Sequence, residues 1–197
     1  MLYKVLGEKG EAFHGGKGQW NLPQDGESGE WMPYVDRLEM CASGYHLVER
    51  DKIVCWLGPT IYEAEADQEG ELFNDGKHCV HTARLTHRLE GWNEQTARLF
   101  ACDCAEHVVE LYERDYPDDT RPREAIAVAR RYAHGEATVK ELAAAGEAAW
   151  DAAWAAAREA AWDAAWAAAR AAAWAPEEKW QTERLFKYLD GASPGRK

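Results

Sequence analysis

The stretch AAWDAAWAAAREAAWDAAWAAARAAAW, residues 148–174, decides the fold of the second half of the chain. It repeats a twelve-residue unit in which alanine, the residue with the highest helix propensity, is the commonest residue. No glycine or proline interrupts the repeat. The stretch therefore predicts a helix over about residues 147–174, roughly 42 Å long at about 1.5 Å per residue.

Tryptophan or arginine recurs at every fourth position of this predicted helix. Four residues turn an α-helix by about 400°, so each step advances the side chain by about 40° and the indoles wind around the helix. They can fill gaps between several neighbouring helices, or they can bind a partner or a second copy of the chain, because tryptophan and arginine are common interface anchors. The positions are Trp150, Trp154, Arg158, Trp162, Trp166, Arg170 and Trp174.

The segments before this helix also have helical period. Residues 92–116 carry apolar side chains at helical spacing, and Pro117 ends the run. Thr120 is a candidate N-cap for the next helix, which Gly135 would end. Two helices are therefore predicted upstream of the tryptophan-rich one.

Two further signals complete the helical half. Thr138 and Glu141 have the spacing of a capping box, which predicts a helix start. Pro176 lies where a last helix would open, and Gly191 lies where it would end. Four helices in about a hundred residues predict a bundle.

The first ninety residues have a different pattern. Residues 51–57 suit one or two helical turns, whereas 61–66 and 77–89 have strand composition and are joined by a turn at 74–76. The predicted fold class is α+β, with a small mainly-β N-terminal domain followed by an all-α bundle that contains the long Ala/Trp-rich helix. The predicted domains are 1–90 and 91–191, followed by a flexible tail at 192–197.

Both halves of the chain are acidic. Residues 1–90 carry 16 acidic and 9 basic side chains, and residues 91–197 carry 19 and 14, which gives the net charge of −12. Neutralising phosphates requires a basic surplus, so this composition disfavours direct binding to nucleic acid and to anionic membranes. A basic protein partner is compatible with it.

The cysteines favour an intracellular setting. They are odd in number and irregular in spacing, and the sequence has neither a signal peptide nor an apolar run near 18 residues. We therefore expect a cytoplasmic protein with reduced thiols. The five are Cys41, Cys55, Cys79, Cys102 and Cys104.

Two cysteine–histidine clusters are candidate metal sites. On a helix, Cys104 and His107 share a face but Cys102 does not, and structural zinc needs four ligands. On a strand, Cys79 and His81 share a side and would need further ligands from elsewhere, such as Cys41, His46 or Cys55. Neither cluster suffices alone, so the sequence predicts no metal, no cofactor and no catalytic residue.

A row of carboxylates forms the first candidate binding face. In a strand, five alternating acidic residues would line one side at about 6.6–6.8 Å repeats, close to the phosphate spacing along one DNA strand. Such a row could bind a basic partner or could simply be solvated, and a glycine between the last two would interrupt a strand. The five are Glu63, Glu65, Asp67, Glu69 and Glu71.

A second candidate site lies around Tyr45, His46 and Lys77. The glycine-rich residues 15–18 could join them around a small ligand, with a carboxylate of the acidic row, Glu63 or Glu65, as acid or base. The glycines lack the spacing of known phosphate-binding loops. This site is the basis of a rival hypothesis, namely a nucleotide- or small-molecule-binding protein or an enzyme.

Distinctive motifs run through nearly the whole chain. They are GYHL at 44–47, VCWLGPTIYEAE at 54–65, DGKHCV at 75–80, FACDCAE at 100–106 and YPDDTRPREAI at 116–126, followed by the Ala/Trp/Arg repeats. With these motifs the sequence resembles an uncharacterised bacterial and phage family whose helical half is a putative immunity protein domain. The resemblance implies a protein that neutralises a partner, and it supplies no catalytic motif.

The leading hypothesis is a non-enzymatic binding protein of the immunity or phage counter-defence (anti-CRISPR-like) type. It would neutralise a protein partner, such as a toxin or a nucleic-acid-binding defence protein, through its acidic surface. A third possibility is an oligomeric scaffold built through the tryptophan-rich helix.

Overall fold

The computed structural model describes residues 1–67, 69, 71–160 and 165–191, with the backbone alone described for 150–160 and 165–175. The chain divides into two units, Met1–Asn93 with Glu178–Lys197, and Glu94–Glu177. The first unit contains β1 (Leu2–Leu6), β2 (Tyr45–Glu49), a 3-10 helix (Arg50–Trp56), β3 (Thr60–Asp67), β4 (Leu72–Asn74), β5 (Lys77–Val80) and β6 (Thr82–Arg88). The helices that follow are α1 (Glu94–Asp115), α2 (Arg121–Ala133), α3 (Val139–Ala160) and α4 (Ala165–Leu189).

This architecture confirms the predicted α+β fold class. A six-stranded antiparallel sheet is followed by helices, and the 3-10 helix occupies the segment where one or two helical turns were predicted. The tryptophan-rich segment is helical up to Ala160 and again from Ala165, as predicted. Residues 161–164, and with them Trp162, lie outside the described residues.

The strand order in the sheet is β4-β5-β2-β1-β3-β6, and every neighbouring pair is antiparallel. The prediction of a single strand over 77–89 was wrong, because the chain bends at His81 and continues as a second strand. β5 pairs with β2, whereas β6 pairs with β3 at the far edge. The predicted turn exists, but it joins β4 to β5, and both Asp75 and Gly76 adopt positive φ as a two-residue hairpin turn requires.

One face of the sheet carries an apolar cluster. Trp20, from the long segment between β1 and β2, packs there with side chains of five strands, and Leu22 and Met32 from the same segment cover its margin. Each fully buried leucine contributes about 1.5–3 kcal/mol relative to leaving it in water. The cluster consists of Leu6, Trp20, Leu47, Tyr62, Ala64, Val80, Ala83 and Leu85.

The end of α4 packs with the sheet unit. The Phe186 ring lies edge-on to Tyr3, with centroids 5.4 Å apart, and the Arg50 guanidinium lies 3.3 Å above the Phe186 ring. Leu185 is fully buried, and the Thr182 hydroxyl donates to the Asp51 carbonyl at 3.4 Å. The domain boundaries read from the sequence remain a prediction, but residues 178–189 pack with the sheet, which the sequence did not reveal.

In the helical unit, α2 packs against both α1 and α3. A partly buried ion pair joins the first two helices: Nη1 of Arg130 lies 2.9 Å from the Asp103 carboxylate, which is 5% exposed. The second connection is an ion pair between Arg123 and Glu113, with 2.6 Å between Nη2 and Oε2. Both pairs extend from the same side of α1, so that side faces α2.

The helix starts agree only in part with the predicted signals. The capping box is confirmed, since Thr138 N donates to the Glu141 carboxylate at 2.7 Å and Glu141 N donates to Thr138 Oγ1 at 3.2 Å. Thr120 makes no side-chain cap of α2, and the Asp119 carboxylate accepts the Arg121 amide instead at 3.1 Å. The prediction that Pro176 opens the last helix was wrong, because Pro176 lies inside α4.

Candidate partner-binding site

The acidic row begins on β3 and leaves it after three residues. Glu63 is half-buried, Glu65 and Asp67 are exposed, and all three lie on the face opposite the buried Tyr62 and Ala64. β3 ends at Asp67, whose carboxylate accepts the Glu69 amide of the following turn at 3.0 Å. Glu71 bonds to Nδ1 of the buried His78 at 3.0 Å. The structure therefore brings three of the five carboxylates together on one strand.

Glu65 is held in place by the neighbouring strand. It lies opposite Arg84 in the β3–β6 register, and Nη2 of Arg84 lies 2.6 Å from its carboxylate. An exposed ion pair of this kind contributes only about 0–1 kcal/mol to stability, but it fixes where the charge lies. The Arg84 guanidinium also lies 5.1 Å from the ring centroid of Trp31.

The three ligand candidates do not converge. Tyr45 and His46 are consecutive on β2 and so point to opposite faces of the sheet. The Tyr45 hydroxyl donates to the Pro33 carbonyl at 2.8 Å, and its ring lies edge-on to Trp20, with centroids 5.3 Å apart. His46 pairs with Cys79 and lies diagonally from Lys77 across the β2–β5 ladder, so these two candidates share a face.

The His46 ring is held neutral. Its Nε2 accepts the Cys41 amide at 2.9 Å, so that nitrogen carries no proton. Burial, with the positive charges of Lys77 and Lys4, lowers the pKa of His46 from its usual 6.5 to about 4. The Lys77 ammonium lies 3.3 Å from the Cys41 sulfur and 4.3 Å from the Trp56 ring centroid. Both candidates therefore have partners within the chain.

The glycine-rich residues 15–18 lie in a turn that closes on itself. The Gly16 amide donates to the Phe13 carbonyl at 3.3 Å, and the Gly18 carbonyl accepts the Ala12 amide at 2.9 Å. The His14 ring bonds to the Trp56 carbonyl at 2.7 Å. These contacts account for the turn without a bound phosphate.

The two cysteine–histidine clusters have different surroundings in the structure. Cys79 lies opposite His46 on the neighbouring strand, and the His46 ring accepts the Cys41 amide. Cys102 is buried in α1, and His107 pairs with Glu177 at 3.3 Å. In the part of the chain that the structure describes, no three His, Cys, Asp or Glu side chains are placed to hold a metal ion.

The helical unit exposes an apolar stripe on α1. Val108 is 40% exposed and Leu111 is 52% exposed, and Asp115 follows Leu111 by four residues on the same side of the helix. Asp103 and Glu113, which pair with α2, lie on the opposite side of α1. An exposed apolar stripe turned away from α2 is typical of a binding surface.

The connection from α1 to α2 forms an open depression of about 560 Å³, lined by residues 115–121. Asp119 is among the lining residues and accepts hydrogen bonds from the Tyr112 hydroxyl at 2.8 Å and from Arg121. The Arg121 guanidinium holds the pKa of this carboxyl well below its usual range. Asp115 and Asp118 are exposed at the rim, so the depression is acidic.

The structure describes no side chain at the seven positions proposed on the tryptophan-rich helix. Trp162 lies outside the described residues, and the other six positions lie outside the described side chains. Their role as an interaction surface or an oligomer contact stays a prediction.

Four apolar residues are exposed although the sequence did not identify them as candidate binding residues. Val108 and Leu111 have the same helical spacing as buried residues of α1, so periodicity alone does not separate them. Trp31 and Tyr34 lie in a stretch without regular structure and are 44% and 61% exposed. The only available signal was the pair of large aromatics within the short run Trp31-Met32-Pro33-Tyr34.

Among the described residues, no helix combines the length and the apolar character that crossing a membrane requires. No curated protein and no solved structure matches the chain. Residues 87–177, which contain α1, α2, α3 and the first half of α4, match the family described as Imm-5 like putative immunity protein, in agreement with the resemblance of the helical half.

Proposed function

We propose that this protein is a non-enzymatic immunity-type protein that binds and neutralises a basic protein partner through its acidic surface. The observation that carries the proposal is the family match over residues 87–177, the segment that contains the exposed stripe of Val108 and Leu111. Immunity-type proteins act by occupying a partner, which requires a surface and no catalytic group.

The charge of the helical unit supports a basic partner. Residues 94–177 carry sixteen acidic and nine basic side chains. Several of the basic ones are already engaged, since Arg130, Arg123 and Arg121 form ion pairs with carboxylates of α1 and the turn after it. Complementary charge steers association and excludes wrong partners more than it raises affinity. A toxin or a defence protein that binds nucleic acid presents the required positive surface.

The apolar stripe supplies the other part of such an interface. Interfaces place apolar anchors at the centre and charged residues at the rim. Val108 and Leu111 would be the anchors, with Asp115 and Asp118 beside them. The acidic residues of β3 form a separate candidate contact on the sheet unit.

The test is recovery of the partner from the native host. The tagged full-length protein is used as bait at 50 and 150 mM NaCl, and the expected result is a basic protein whose toxicity to the host falls when the two are co-expressed. Leu111→Arg and Val108→Arg should abolish recovery. Val139→Arg is the matched control, because Val139 is 66% exposed in the same unit but lies at the start of α3.

Two outcomes would contradict the proposal. One is the absence of any specific partner at either salt concentration. The other is a partner that the Leu111→Arg and Val139→Arg proteins retain equally, since binding would then not involve the stripe on α1.

A further inference from the structure

The outer edge of the sheet carries a row of exposed aromatic and acidic side chains. The segment of residues 29–35 runs alongside β6, and three of its amides donate to β6 or the residue before it. These bonds are Gly29 N to the Leu85 carbonyl at 2.8 Å, Met32 N to the Ala83 carbonyl at 2.9 Å, and Val35 N to the His81 carbonyl at 2.9 Å. The segment is therefore held in register although it forms no regular strand.

Two aromatic side chains of this segment point away from the core. Met32 packs against the apolar cluster of the sheet, whereas Trp31 and Tyr34 are 44% and 61% exposed. By contrast, Trp20 and Trp92 are 6% and 3% exposed in the same unit. Leaving an indole and a phenol ring in water forfeits the free energy that their burial would provide.

Both exposed rings are held by a neighbouring side chain. The Tyr34 ring is stacked on His81, with centroids 4.9 Å apart and an interplanar angle of 3°. The Arg84 guanidinium lies 5.1 Å from the Trp31 centroid and also pairs with Glu65. Because these contacts restrict the rotamers in advance, a ligand that binds the rings loses little side-chain entropy.

The charge beside the rings is negative. Glu65 and Asp67 are exposed on β3, next to Arg84 and Thr82 in the β3–β6 register, and Glu30 and Asp36 are exposed in or next to the aromatic segment. Indole and phenol faces attract cations, and arginine stacks on them especially well. Aromatic faces next to carboxylates thus match a guanidinium or ammonium in both charge and shape.

We propose that this edge, formed by Trp31, Tyr34, Glu65 and Asp67, binds an arginine- or lysine-rich segment of the partner protein. Cationic side chains of the segment stack on Tyr34 and pair with Asp67, and at Trp31 and Glu65 they compete with Arg84, which contacts both. The assignment rests on the proposed function, since it names the chemistry of the partner that the sheet unit contacts.

The probe is a synthetic ten-residue peptide of alternating arginine and glycine, titrated into the full-length protein by calorimetry at 50 and 150 mM NaCl. Binding should weaken at least about tenfold in Trp31→Ala/Tyr34→Ala and in Glu65→Gln/Asp67→Asn. An NMR spectrum of the indole N–H groups should show the Trp31 signal, identified by its loss in Trp31→Ala, shifting with peptide.

Matched controls separate this edge from general attraction to an acidic protein. Glu8→Gln/Asp75→Asn removes the same charge elsewhere, with Asp75 at the opposite edge of the sheet. Phe73→Ala removes a ring that is 57% exposed on β4. Both controls should change the affinity less than about twofold. Circular dichroism of each variant should match that of the parent, as expected for exposed side chains.

Three results would overturn the assignment. The first is peptide binding that the Trp31→Ala/Tyr34→Ala protein retains. The second is equal weakening by the two charge-removing variants. The third is tighter binding of a ten-residue thymidylate oligonucleotide through the same rings. If the peptide does not bind but recovery of the host partner still requires Leu111, this assignment is wrong and the proposed function stands. If the peptide binds through this edge but no host partner is recovered, the proposed function alone is contradicted.

Discussion

Phe186 at the end of α4 lies edge-on to Tyr3 of β1, with 5.4 Å between the ring centroids, so the first strand and the last helix meet in one core. Phe186 is 4% exposed and Tyr3 is 2% exposed. Residues 178–189 therefore contribute to the stability of the sheet unit, although the helical unit precedes them in the chain.

Phe186→Ala should destabilise the sheet unit by about 3–5 kcal/mol, the usual cost of truncating a buried phenylalanine. Urea unfolding monitored by fluorescence and circular dichroism measures this difference. Phe73→Ala is the control, because the same truncation of a ring that is 57% exposed should cost less than about 1 kcal/mol. Similar losses for both variants would mean that α4 does not share the sheet core.

Sequence motifs of a few residues predicted the structure of their own segment, but they did not predict contacts between segments that are far apart in the chain. The spacing of Thr138 and Glu141 identified a helix start because the two side chains bond to each other's backbone amides. The pairing of Tyr3 with Phe186 has no such signal, since an apolar helix face does not specify which surface it will cover. A bend at His81 likewise divided a stretch whose strand composition was continuous.

The candidate site was predictable to a similar degree. Alternation correctly placed Glu63, Glu65 and Asp67 on one side of a strand, but the chain turned after Asp67 and the remaining two carboxylates left the row. Trp31 and Tyr34 lie where turn-forming residues dominate, and only the hydrogen bonds of their segment to β6 bring them to the edge of the sheet. No residue next to Trp31 or Tyr34 in the sequence predicts that they lie at the edge of the sheet.

The ion pair between Asp103, which is buried, and Arg130 should stabilise the helical unit. Asp103→Ala leaves the Arg130 guanidinium in a partly buried position without its main partner, and we expect a loss of about 3 kcal/mol in the free energy of unfolding. Glu106→Ala removes the second carboxylate that pairs with Arg130, but Glu106 is 52% exposed, so its loss should be under about 1 kcal/mol. Urea titration of both variants measures the two losses in the free energy of unfolding. Equal losses would mean that the buried Asp103 carboxylate stabilises the unit no more than the exposed Glu106 carboxylate does.

His46 should make the protein less stable in mild acid. In the unfolded chain His46 takes up a proton near pH 6.5, whereas in the folded protein its pKa is about 4, so protonation favours unfolding as the pH falls from about 6.5 to 4. Linkage gives a loss of about 2 kcal/mol between pH 7 and pH 5, with full stability retained above the unfolded pKa. Urea unfolding of the parent and of His46→Gln at both pH values measures this contribution.

The His46→Gln protein should lose about 2 kcal/mol less than the parent over this interval, since glutamine does not titrate. If His46→Gln and the parent lost the same stability, the acid sensitivity would belong to another group.

Gly91 lies so close to the end of α4 that a side chain has no room. A Cβ atom at this position would lie 2.2 Å from the Tyr188 carbonyl oxygen and 2.6 Å from that of Leu189, and backbone oxygens of a packed helix cannot rotate away. Gly91→Ala should therefore destabilise the sheet unit by about 1–3 kcal/mol. Gly146→Ala is the matched control within α3, where a Cβ would meet no atom within 4 Å and alanine should stabilise the helix by about 0.5–1 kcal/mol. Thermal or urea unfolding should thus show that a glycine-to-alanine substitution lowers the free energy of unfolding at residue 91 and raises it at residue 146. A neutral Gly91→Ala protein would mean that the end of α4 can shift away from residue 91, and the close packing of residues 178–189 with the sheet would then not be required for stability.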